Sequence, residues 1–176
     1  MRLVDAVSSV RRWRVFAEIV AAIQASHRDG FRVIEFSVQD GHLHLITEAG
    51  SARALSNGVR ALSIRIARAL NRVLGRRGKV FADRFHTRAL SSLREVRNAL
   101  VYVLQNARKH FEQKGVALRA SWLDRFSSAG FFDGWSSTGA KEAVALREAW
   151  RAAGIEPERP TRDASTWLLR VGWRPR

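Results

Sequence analysis

The sequence predicts an α+β domain: an antiparallel sheet with helices packed on it. Three observations predict this. Two β-rich runs, Phe31–Val38 and His42–Glu48, flank an Asp40-Gly41 hairpin signal. Two long segments, Ala52–Leu74 and Leu93–Gln113, repeat apolar residues every three or four positions. The chain is 46% hydrophobic with 3 prolines in 176 residues, enough apolar mass for one domain with a core plus an extension.

Taken in order, Met1–Val7 reads as a short strand. Val10–Ala25 reads as a helix, with Val15, Ile19, Ala22 and Ile23 on one side and Arg11, Arg12, Arg14 and Glu18 mostly off it. His27–Gly30 is a turn. The two hairpin strands follow; alternation sets Leu43 and Leu45 on one face, and His42, His44 and Ile46 on the other. Ala52–Leu74 carries the stripe Leu55, Val59, Leu62, Ile66, Ala69 and Val73, with Arg65, Arg68, Arg72 and Arg76 on a different side. After a basic turn at residues 75–79, Val80–Leu90 reads as a further strand with Arg84, His86 and Arg88 on one face. Leu93–Gln113 is a helix that Ser91 or Ser92 can cap, with Glu95 in its first turn. Beyond Gly115 the pattern weakens: a loop over Ser127–Thr138, a helix over Gly139–Ala153, and a final strand or arm over Thr166–Trp173. The expected division is a core of residues 1–115 and a mostly helical extension, 116–176, packed on it.

Lys and Arg number 31 against 16 Asp and Glu, a formal charge of +15. A high-GC genome would explain arginine in place of lysine, but not the surplus over acids. The surplus points to a polyanionic partner, nucleic acid first. The absence of cysteine excludes a disulfide scaffold and a thiolate metal site. No apolar run approaches the ~18 residues of a spanning helix. Residues 1–10 lack the apolar segment and cleavage site of a secretory signal, so a bacterial cytoplasm, with the chain on the nucleoid, is the expected compartment.

His42-Leu43-His44 aims two imidazoles from one strand face, half of a metal site. Taken alone, so short a pattern also describes two ordinary half-exposed histidines. Tyr102 is the single tyrosine of the chain. At ~100° per residue, Leu93, Val96, Leu100, Val103, Leu104, Ala107 and Phe111 share the core sector of its helix. Tyr102 lies opposite, among Glu95, Asn98, Gln105, Asn106 and Lys109. Taken alone, it would be a solvated surface residue. Paired with a metal-bound phosphate it would be a nucleophile. Asn106, four residues on, projects from the same stripe. Its amide oxygen could complete a shell of two nitrogens and one oxygen suited to Mg²⁺ or Mn²⁺.

Three runs resemble a known family. Residues 36–48, around His42-Leu43-His44, are similar to the His-hydrophobic-His strand of the single-tyrosine HUH transposases. Residues 78–86 resemble the strand after their central helix, and residues 99–106 resemble their tyrosine helix. The REP-associated tyrosine transposases are the branch most similar. The resemblance covers roughly residues 1–113, and the three motifs stand in the family's order. It implies a ferredoxin-like, RRM-like core with a shortened first strand. It also implies metal-dependent cleavage and rejoining of single-stranded DNA beside hairpins through a 5′-phosphotyrosine. His42, His44 and Asn106 would be the metal ligands and Tyr102 the nucleophile. Family members work as monomers or as homodimers that exchange tyrosine helices. The chain departs from the family in Asp40-Gly41, where Pro-Asn is common, and in Ala107, where proline often follows the asparagine.

Arg65, Arg68, Arg72, Arg76, Arg84, His86 and Arg88 are the candidate DNA contacts. Trp167, Arg170, Trp173, Arg174 and Arg176 could stack on unpaired bases or pack the tail onto the body. Phe131, Phe132 and Trp135 read as packing residues. The alternative function is a domesticated HUH fold that binds hairpin DNA or RNA without cutting. A replication-initiator or relaxase-type nuclease would carry other flanking motifs, and a serine hydrolase would need a nucleophile elbow that is missing.

Overall fold

Asp40 and Gly41 sit at the tip of the hairpin that organises the molecule, closed by Gln39 N–H donating to His42 O at 2.7 Å. In the computed structural model, which describes residues 1–7, 10–156 and 158–174, strands β1 (Phe31–Val38) and β2 (Leu43–Ala49) pair antiparallel. Phe36 faces Leu45, Ser37 faces His44 and Val38 faces Leu43. The register slips between Val33 and Glu35, so Glu35 stands opposite Ile46. Cross-strand partners share a face. One face therefore carries Phe36, Val38, Leu43 and Leu45; the other carries Glu35, Ser37, His44 and Ile46.

Helices α1 (Trp13–Gln24) and α2 (Ala52–Val73) cover the first face. Phe16 of α1 meets Phe36 at 6.2 Å between ring centroids. Gly58 of α2 lies so close to Phe31 that a Cβ there would fall 2.2 Å from the ring. Val59, Leu62, Ile66 and Leu70 of α2 are buried, as their spacing requires. Ser51 caps the helix by accepting from Ala54 N–H, and Gly75, at φ +61°, lets the chain turn away at its end.

Helix α3 (Leu93–Gln113) covers the second face, burying Val96, Leu100, Val103, Leu104 and Ala107. Ser92 is the cap, accepting from Glu95 N–H, and the Glu95 carboxylate accepts from Ser91 N–H in return. The Ser91 N–H, the Arg88 guanidinium and the Ser91 hydroxyl hold the Glu95 carboxyl down to about 2.

The α+β expectation holds, but the regular sheet has two strands. Residues 1–4 and 80–82 extend it by single bridges, Arg2 to His42 and Leu3 to Phe81. The order is thus 80–82, 1–4, β2, β1, a ferredoxin-like arrangement whose first and last strands are reduced to bridges. The strand expected over Val80–Leu90 is corrected accordingly. Its partner is only the short 1–4 segment, which supplies bonds to Val80 and Ala82. Past residue 82 no strand among the described residues pairs with the segment, and Arg84, His86 and Arg88 lie on an irregular, exposed stretch.

The C-terminal third covers the free edge of β1. Val38 N–H donates to Phe126 O, Phe36 N–H to Ser128 Oγ, and Arg162 N–H to Val33 O. An edge covered in this way cannot recruit another chain. Helix α4 (Ser137–Ala152) adds the fully buried Trp150, edge-on to Phe16 at 5.0 Å. The extension thus shares one apolar cluster with the core. Thr166–Trp173 is not a strand. Leu168–Gly172 forms a wide helical turn, because the neighbouring sheet edge is already occupied. Trp173 is buried and stacks on Phe132 at 5.1 Å, Phe132 packs on Trp135, and Phe131 packs on Trp150. Packing, rather than base stacking, accounts for these aromatics. Trp167 and Arg170 are exposed, Arg174 pairs with Asp133, and Arg176 lies outside the described residues. No helix among the described residues is long and apolar enough to cross a membrane.

Candidate active site

β2 and α3 bring the sequence-predicted residues together. The register that turns Leu43 and Leu45 toward α1 and α2 turns His44 toward α3. The His44 and Tyr102 rings meet edge to face, 5.0 Å between centroids at 83°. His42 and His44 lie nearly parallel, 6.0 Å apart at 13°. Tyr102 keeps 53% of its surface exposed, so its hydroxyl is accessible to a macromolecular substrate.

Asn106 departs from expectation. It belongs to the stripe of Tyr102 but is only 6% exposed, buried at the foot of the helix–sheet interface. Spacing by four on a helix does not fix equal exposure. The sheet closes on α3 below Tyr102, and the second residue is covered. The Asn106 amide donates from Nδ2 toward His110 Nε2 at 3.4 Å. This assigns its carbonyl oxygen to the other direction, where it accepts no bond among the described residues.

His110 is a member of this site that the sequence reading passed over. Tyr102, Asn106 and His110 recur every four residues on α3, which was the available signal. The charge of His110 is felt by both His42 and His44. Burial lowers the His44 imidazole to about 4, aided by the Met1 amino group, His42 and His110. His42 is lowered too, first by burial and then by the same amino group, Arg2 and His110. Both rings are neutral at physiological pH, with an in-plane lone pair free to bind.

This donor set fits a divalent cation with mixed nitrogen and oxygen ligands: two neutral imidazoles and one amide oxygen. Among the described residues no three His, Cys, Asp or Glu side chains converge on a metal position; a cation here would have to draw on His42, His44 and the Asn106 amide oxygen. Solvent and phosphate oxygens would fill the remaining positions of a Mg²⁺ or Mn²⁺ ion.

The arginine groups fall elsewhere. Arg65 and Arg68 are exposed on α2, across the sheet from Tyr102. Arg72 pairs with Glu18 of α1 at 2.6 Å, and Arg76 is engaged by Asn71 and by Lys79 O. Arg88 pairs with Glu95 at 2.6 Å beside the start of α3. Arg84 and His86 are exposed on the same irregular segment. Of the seven candidate contacts, then, the three on residues 84–88 adjoin the tyrosine helix, and the four on α2 and its end do not. No family model, no curated protein and no solved structure matches this chain.

Proposed function

We propose that the protein is a divalent-metal-dependent single-stranded DNA endonuclease and strand transferase of the single-tyrosine HUH kind, acting beside DNA hairpins. The observation that carries this reading is the 5.0 Å contact between His44 and Tyr102, the chain's single tyrosine, from elements 58 residues apart in sequence. Resemblance to the REP-associated tyrosine transposases and the charge of +15 support it.

Tyr102 supplies the nucleophile. Its oxygen forms a bond to phosphorus while the bond from phosphorus to the 3′-oxygen breaks. The phenolic proton leaves to solvent, and the 3′-oxygen takes one up. The products are a 5′-phosphotyrosine and a free 3′-OH. Phosphodiester energy is conserved, so a second 3′-OH can reverse the step and join strands without ATP. A phenol with a pKa near ~10 is a weak nucleophile at neutral pH, and a bound divalent ion supplies the polarisation of the phosphate and the stabilisation of the departing oxygen. His42, His44 and Asn106 would hold that ion, and His110 would orient the Asn106 amide. The edge of His44 against the Tyr102 ring limits where the hydroxyl can point.

The test is incubation with a single-stranded hairpin oligonucleotide and Mn²⁺, followed by denaturing electrophoresis. A DNA–protein adduct that disappears in Tyr102→Phe is expected. Tight hairpin binding with no adduct under any divalent metal would instead favour a domesticated fold that binds without cutting.

A further inference from the structure

A cleft of about 610 Å³ opens at the far end of α3 from the start of the helix, between the beginning of α1 and the segment after Gly115. Its volume lies in the ~300–1,000 Å³ range of ligand sites. One wall is Trp13, packed on Phe126 at 5.1 Å. The other is Trp122, edge-on to Phe111 at 5.5 Å. Both tryptophans are only half-buried. Arginines surround these rings: Arg125 lies 5.9 Å from the Trp13 centroid, and Arg108 lies 6.0 Å from that of Trp122.

The arginines differ in how they are used. Arg11 is spent on structure, making a bidentate pair with buried Asp124 at 2.9 and 2.7 Å and donating to Val38 O. Asp124 is therefore neutralised and does not repel an anion. Arg108 donates to the carbonyls of Arg119, Ala120 and Trp122, fixing the loop that carries the second wall. Arg12 and Arg125 are exposed at the rim and form no ion pair among the described residues. A gap in a core is filled by apolar side chains. Two half-open indoles in a cleft rimmed by Arg12 and Arg125 match a planar ring attached to an anion.

We infer that this cleft is a binding site for an unpaired base of single-stranded DNA, stacked between Trp13 and Trp122, with its flanking phosphates on Arg12 and Arg125. Aromatic platforms in a cationic groove are how proteins hold single strands with little sequence preference. Phe111 is nine residues past Tyr102, about 13 Å along α3 at ~1.5 Å per residue. At ~100° per residue Phe111 faces the other side of α3 from Tyr102, so a strand engaged at Tyr102 reaches the cleft by passing around the C-terminal end of the helix. The inference rests on single-stranded DNA being the partner, not on the covalent chemistry at Tyr102.

The experiment measures binding by fluorescence anisotropy in EDTA, where cleavage is silent. The probes are a hairpin with a single-stranded thymidine overhang and the same hairpin with abasic sites in the overhang. For the full chain, abasic sites should weaken binding about tenfold, the scale of one stacked base. Trp122→Leu, which keeps apolar packing, should lose the same factor on the thymidine probe and little on the abasic one. Arg125→Gln, at the exposed rim, should lower the log–log salt slope by roughly 0.7. Circular dichroism checks that both variants are folded. Equal affinity for the two probes, or equal loss on both in Trp122→Leu, overturns the inference, as does preferential binding of an acidic tryptophan-containing peptide. Adduct formation at Tyr102 is scored separately in Mn²⁺. Base-dependent binding without an adduct leaves the cleft standing and removes the transferase reading. An adduct with base-independent binding does the reverse.

Discussion

The two faces of the sheet are built from different chemistry. The face under α1 and α2 is apolar: Phe16, Phe36, Leu43, Leu62 and Ile66 are all essentially fully buried. The face under α3 and the C-terminal segment holds Glu35, Ser37, Glu48, Asn106 and Ser128, all buried and polar, together with His44. Directed bonds hold most of them: Ser128 donates to Glu35, Gln39 to Ser37, Ser165 and Thr166 to Glu48, and Asn106 Nδ2 reaches His110. Among the described residues no buried side-chain nitrogen or oxygen is left unsatisfied. The first face supplies burial, which is non-directional and tolerant. The second supplies directed groups, whose positions matter individually. Stability and activity should therefore separate by face.

The largest separation is expected at Tyr102. Tyr102→Phe should abolish adduct formation and leave hairpin affinity within a few-fold, because only a hydroxyl on an exposed ring is removed. Its melting temperature should match that of the unmodified protein. His42→Ala or His44→Ala should cost about 10³-fold in metal-dependent cleavage, the equivalent of ~4 kcal/mol of transition-state stabilisation. Cleavage in Mg²⁺ at the original rate by either variant would remove them from the site.

Leu62→Ala probes the opposite face. It should cost about 2–5 kcal/mol of stability by leaving a cavity under the sheet. At a temperature where the variant is still folded, adduct yield per folded molecule should be unchanged. A parallel loss of activity would mean that the two faces are coupled.

Glu35 tests the polar face through pH. Burial raises its carboxyl from 4.5 to about 8, against the opposing effects of the Ser128 hydroxyl and Arg159, with Asp133 adding to the rise. The folded state therefore holds this proton more tightly than the unfolded chain. The stabilisation is fully present below about 4.5 and is lost as pH rises through about 8. Glu35→Gln cannot ionise and should remove this dependence. Relative to it, the unmodified protein should lose on the order of a few kcal/mol between pH 5 and pH 8.5. Parallel melting curves for the two proteins across that window would show Glu35 ionised throughout.

Asn106→Ala should reduce cleavage about tenfold, since water can replace an amide oxygen. His110→Ala should have a smaller effect in the same direction, acting by freeing the Asn106 amide. If His110→Ala were the more damaging of the two, His110 would itself touch the substrate or the ion.

The smallest effect is expected from replacing Arg65, Arg68 and Arg72 together with Gln. These side chains lie across the sheet from Tyr102, so the salt slope of hairpin binding should hold. A fall of roughly 0.7 per arginine would mean that DNA wraps both faces.

Local sequence determined a good deal of this protein. The hairpin, α2 and α3 follow from alternation, Asp40-Gly41, the Leu55–Val73 stripe and the Ser92–Glu95 cap. Each of those signals operates within a few residues. The same locality put His42 and His44 on one side of β2 and Tyr102 off the apolar side of α3. What the tertiary structure decided depends on partners distant in the chain. Val80–Leu90 has the composition of a strand, but a strand needs an edge to pair with, and residues 1–4 offer little of one. The alternation of Arg84, His86 and Arg88 therefore lost its meaning. The four-residue spacing of Tyr102, Asn106 and His110 was present in the sequence, yet only the close approach of α3 to the sheet buried Asn106 and drew His110 toward the histidine pair. The cleft between Trp13 and Trp122 joins residues more than a hundred positions apart. Helix and strand periods report which residues share one element's face. Which faces meet, and which aromatics stay half-open between them, is set by long-range packing that no local period encodes.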